Sequence, residues 1–83
     1  MKTFDDLTFT GVGKVTAKLT LDNGIVISVV GGSGCYGNGI DSFEIAAWRD
    51  NDPNFIRLSE YDDVLGWLSK EEITAKINEL SKL

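Results

Sequence analysis

The sequence predicts an α+β domain: an antiparallel β-meander of four to five strands with one C-terminal α-helix packed on one face. Three observations predict it. Lys14–Leu21 alternates polar and apolar residues with a period of two, Ser42–Arg49 does so again, and from Ser69 onward the apolar period becomes that of a helix. With 83 residues, the chain forms a single domain, residues 1–83, around a thin core.

In chain order, Asp5–Thr10 reads as a short lead-in and candidate edge strand, ended by Gly11 and Gly13. In the first strand Val15, Ala17, Leu19 and Leu21 share one face, and Lys14, Thr16, Lys18 and Thr20 the other. Asp22-Asn23-Gly24 follows. A two-residue Asn23-Gly24 turn would pair Leu19 with Ser28 and Lys18 with Val29, mixing the two faces. A three-residue loop instead pairs Leu21 with Ile25, Leu19 with Ile27 and Ala17 with Val29, all on one face. Register follows the buried face, so the hairpin 14–30 is expected to close through a type I turn with Gly24 left-handed. In the third strand Phe43, Ile45 and Ala47 form the buried side. Asp50-Asn51-Asp52-Pro53-Asn54 is a turn cluster, and Phe55–Leu58 is expected as the short final strand, with Ile56 and Leu58 inward. Ser69 and Glu72 form a capping box, with Leu68 and Ile73 as a hydrophobic staple. Ile73, Ile77 and Leu80 then give one apolar stripe to a helix running from Lys70 to about Lys82.

Between the second and third strands, Gly31–Gly39 holds five of the nine glycines and contains a literal G-x-G-x-x-G at Gly32, Gly34 and Gly37. A dinucleotide fingerprint needs a helix directly after the glycines, and here another strand follows. A kinase-type loop needs a lysine on the following strand and a metal-binding carboxylate, in a far longer chain. The stretch is therefore read as a flexible crossing, either a plain connection or a loop that carries Tyr36 to a partner. Asp50–Asn54 begins like a calcium loop, but its sixth position is Phe55 where glycine is needed and its twelfth is Tyr61 where glutamate is needed. The chain has no histidine, and Cys35 is its only cysteine, so Ser-His-Asp and Cys-His catalysis and zinc or iron–sulfur ligand sets are excluded. Asp62-Asp63 and Glu71-Glu72 read as solvated pairs. Neither an enzyme nor a cofactor is expected.

Net charge is −5 and unevenly placed: residues 1–40 balance to zero, while residues 41–72 carry nine acids against Arg49, Arg57 and Lys70. Direct nucleic-acid binding through a basic face is not expected. No apolar run approaches the ~20 residues of a membrane span. A single cysteine and the lack of a signal-peptide pattern predict a reducing, cytoplasmic setting. Aromatic residues among acids mark contact sites, so Tyr36, Trp48, Tyr61, Asp62, Asp63 and Trp67 are the partner-binding candidates. Each tryptophan also has a structural reading. Trp67 is expected to pack beneath the start of the helix. Trp48 either covers the second sheet face or is exposed on it, where with Val26 and Val30 it would make a homodimer surface.

Several stretches resemble a group of small bacteriophage proteins. They are Thr3-Phe4-Asp5-Asp6-Leu7, Ile27-Ser28-Val29-Val30 running into Gly34-Cys35-Tyr36-Gly37, Ser42-Phe43-Glu44-Ile45-Ala46, Asp62-Asp63-Val64-Leu65-Gly66-Trp67-Leu68-Ser69 and Glu71-Glu72-Ile73. The resemblance covers most of the chain and implies a source, a phage or prophage, with no chemistry attached. By analogy with small acidic phage proteins, it implies binding to a host protein, as anti-CRISPR and anti-restriction inhibitors do. The alternatives are a structural, assembly or homodimerising accessory protein of a phage and, behind it, a small-ligand binder using the glycine-rich loop.

Overall fold

The computed structural model describes residues 2–52, 54–58 and 64–83. Strands β1 (Lys14–Thr20), β2 (Ile25–Gly32), β3 (Phe43–Arg49) and β4 (Val64–Leu68) form an antiparallel sheet in the order β1-β2-β3-β4, and helix α1 (Lys70–Ser81) packs across one face. The β1–β2 register is the one that the apolar face dictates: Leu19 opposes Ile27 and Ala17 opposes Val29. The Leu21 amide donates to the Ile25 carbonyl (2.8 Å) and the Gly24 amide to the Leu21 carbonyl (3.0 Å), with Gly24 at φ +85°. The expected three-residue turn forms.

The core lies between the inner sheet face and the helix. Ile27, Val29, Ile45, Ile73 and Ile77 are wholly buried, each stabilising the fold by about 1.5–3 kcal/mol. Phe4, Phe9 and Phe43 close one end, with ring centroids 5.0–5.6 Å apart. The capping box is present at α1: Ser69 accepts from the Glu72 amide (3.2 Å) and Glu72 from the Ser69 amide (3.0 Å). At the other end of the helix, Asn23 of the hairpin turn donates through Nδ2 to the carbonyls of Leu80 (3.0 Å) and Leu83 (3.2 Å), while its Oδ1 accepts from the Ile25 amide. One side chain of the turn thus ties the hairpin to the C-terminal end of α1, where the Leu83 amide also donates to the Leu80 carbonyl (3.3 Å).

Three expectations are corrected. Asp5–Thr10 is not a strand: Phe4–Asp6 is a 3-10 turn capped by Thr3, and only Thr10 bridges β1, at Thr16. Phe55–Leu58 is not the final strand. Phe55 bridges Trp48 and the Ile56 amide donates to the Ala47 carbonyl (2.7 Å), after which the chain leaves the edge, although Leu58 is buried and Ile56 packs on the core as expected. The last strand is β4, whose first residue pairs with Ala46. Ile56 lies against Ala47 and Val64 opposite Ala46, so the two occupy neighbouring positions along the edge of β3.

The glycine stretch is no flexible crossing. Asn38 folds it: Oδ1 accepts from the amides of Ile40 (2.8 Å), Asp41 (3.0 Å) and Ser42 (3.2 Å), and Nδ2 donates to Asp41 Oδ1 (2.7 Å). The Gly32 amide donates to the Gly37 carbonyl (2.9 Å), and Gly31 lies so close to Gly39 that a Cβ there would stand 2.5 Å from the Gly39 Cα. The glycines serve close backbone approach.

Asn23→Ala is expected to lower the unfolding free energy by about 1–2 kcal/mol. It should also speed amide exchange at Lys82 and Leu83, which donate to Glu79 and Leu80. Urea denaturation and hydrogen exchange read both effects, and an unchanged helix terminus would count against the link.

Candidate functional site

The outer sheet face carries no helix. Across it the register places Thr20, Val26 and Trp48 in one row, Lys18, Ser28, Ala46 and Val64 in the next, and Thr16, Val30 and Glu44 in a third. Trp48 is half-buried, stacked on Phe55 (centroids 5.7 Å, 25° between planes) and capped by Lys18 Nζ 5.7 Å from its ring. Together they leave Val26 only 9% exposed. The second sheet face is partly closed by its own side chains, with Trp48 as cover.

Among the described residues, the most exposed aromatics sit at the β3–β4 end. Between the pairs Ile45–Leu65 and Phe43–Leu68, Gly66 and Trp67 together oppose Glu44, a β-bulge in β4. Trp67 is held at φ +57°, a left-handed conformation that costs a bulky residue about 1–2 kcal/mol. The bulge turns its side chain outward, and it is 66% exposed. It therefore does not pack beneath the helix start, contrary to expectation.

Tyr36, 65% exposed, reaches the same place from the glycine loop. The Trp67 amide donates to the Tyr36 carbonyl (2.7 Å), and the Tyr36 amide donates to Glu44 Oε1 (3.0 Å). The Tyr36 side chain lies on Gly66, where any Cβ would overlap Tyr36 Cβ. Position 66 must be glycine for the loop to dock on β4. The result is two exposed aromatic side chains on a rigid, hydrogen-bonded base with a carboxylate beside them.

Of the six candidates, the structure brings Tyr36 and Trp67 together and sets Trp48 two rows away, beside Phe55. Tyr61, Asp62 and Asp63 lie outside the described residues. Reasoning from the sequence missed Glu44, Gly66, Phe55 and the exposed Ile40 of the glycine loop. Strand parity placed Glu44 on the outer face, and a glycine directly before an aromatic in β4 was the available sign of the bulge. Among the described residues, no group of three or more cysteine, aspartate or glutamate side chains converges as a metal site, and no helix is long and apolar enough to cross a membrane. Comparison with family models, curated proteins and solved structures gives no match, so the site is read from its own geometry.

Trp67→Gly relieves the left-handed strain while removing little buried surface. It is expected to be neutral or stabilising by up to about 1 kcal/mol, where a glycine inside a regular strand costs about that much. A loss above about 1 kcal/mol in urea unfolding would mean that packing, not display, holds Trp67.

Proposed function

We propose that this chain is a non-enzymatic interaction protein that binds a protein partner through the Tyr36–Trp67 patch. One observation carries the reading. A bulky aromatic is held in strained backbone, two-thirds exposed, beside a second exposed aromatic, and neither serves the core. Strain kept where it does nothing for packing is a mark of function. Tyrosine and tryptophan are the residues that most often dominate protein–protein affinity. Given the resemblance to small phage proteins, the partner proposed is a host protein, and the outcome of binding is its inhibition, as in an anti-CRISPR or anti-restriction role.

The alternative, self-association through the outer face around Trp48, draws support from the half-buried Val30, Ala46 and Val64. It is the weaker reading, because Lys18, Trp48 and Phe55 already shield much of that face.

Two measurements test this. In affinity capture from host lysate, the Tyr36→Ala/Trp67→Ala chain is expected to lose its partner by more than about tenfold, with its circular dichroism unchanged. Undiminished capture removes the patch as the contact site. Light scattering is expected to give a monomer, and a stable dimer abolished by Trp48→Ala would favour self-association instead.

A further inference from the structure

Among the described residues, the aromatic rings that reach the surface differ in what stands over them. Lys18 Nζ lies 5.7 Å from the Trp48 ring centroid and Lys70 Nζ 5.6 Å from that of Phe4. All eight lysines and arginines of the chain are among the described residues, and none of them caps Tyr36 or Trp67. The adjacent carboxylate is in the same condition. Glu44 is half-buried and gives Oε1 to the Tyr36 amide, and no lysine or arginine lies within 4.0 Å of it, the one ion pair among the described residues being Lys76–Glu79. In the sequence, residues 41–72, which include Glu44 and Trp67, carry six more acids than bases, and the whole chain has a net charge of −5. Such a field draws positive segments in and turns nucleic acid and acidic proteins away.

A guanidinium satisfies both features at once. It is planar, stacks on aromatic faces and forks a carboxylate through paired N–H donors, whereas an ammonium is a compact, strongly hydrated charge. We propose that the Tyr36–Trp67–Glu44 patch binds an arginine-bearing basic segment of the partner protein. This rests on the protein-binding reading above and adds the partner's chemistry.

The test uses the full chain and two probes, an eight-residue oligo-arginine peptide and an oligo-lysine peptide of equal length. Binding is followed by the indole N–H resonances of the two tryptophans. The arginine peptide is expected to bind at least about threefold more tightly than the lysine peptide and to shift the Trp67 indole signal far more than that of Trp48. Glu44→Gln keeps an acceptor for the Tyr36 amide and removes only the charge, and is expected to weaken arginine-peptide binding at least about fivefold. Asp22→Asn, an exposed site with the same change in net charge, is expected to weaken it less than about twofold. Equal affinity for the two peptides, or equal weakening by the two variants, reduces the effect to overall charge and overturns the proposal. No peptide binding alongside partner capture that still depends on Tyr36 and Trp67 overturns the arginine assignment alone. Capture that survives Tyr36→Ala/Trp67→Ala overturns the protein-binding reading and this proposal with it.

Discussion

The turn at Asp22–Gly24 sets the register of β1 against β2, and through β2, which pairs on both edges, it sets which residues of β3 meet the helix. Val29 stands between Ala17 and Ile45, and Ile27 between Leu19 and Ala47. A slip of one residue in the first hairpin would turn Lys18 onto the buried inner face and expel Ala17 from it. Asn23, in the same turn, also donates to the Leu80 carbonyl of α1 and to that of Leu83 just beyond the helix. Sheet register and helix placement are therefore coupled through a single tripeptide, which lets so small a core close without a disulfide.

The elements legible in the sequence are those whose signals are local and agree with one another. The β1–β2 hairpin combines two alternating runs with a turn whose length only one register tolerates. Helix α1 combines the Ser69/Glu72 box with the spacing of Ile73, Ile77 and Leu80. β4 was not legible, because the bulge at Gly66-Trp67 breaks its period of two within only five residues. The order of the glycine loop was not legible either, since it depends on where the Asn38 side chain finds its amides. Tyr36 and Trp67 could each be singled out as contact candidates, but the exposure of Trp67 could not, because it depends on the bulge. Their meeting is a tertiary event, made by a carbonyl of one loop and an amide of a distant strand.

The contact patch is built by placing unfavourable local structure on favourable support. Trp67 occupies a conformation its side chain disfavours, and the Tyr36 carbonyl, the glycine beneath the tyrosine and the Glu44 carboxylate hold the surrounding backbone around it. A rigid base limits the side-chain and loop ordering that association costs. The same base explains why glycine recurs in the crossing: backbones approach there more closely than a methyl group allows.

The two-part edge of β3 has a consequence for the order of assembly. To the sheet, Ile56 and Val64 are successive rungs on that edge, although they are not neighbours in sequence. The β1–β2 hairpin closes over a single three-residue turn, whereas this edge is completed by two segments that meet only in the folded sheet. Contacts of larger sequence separation carry a larger closure cost before they are rewarded. The hairpin is therefore the local unit on which the rest of the domain can condense, and the edge that displays Trp67 is among the last parts to close.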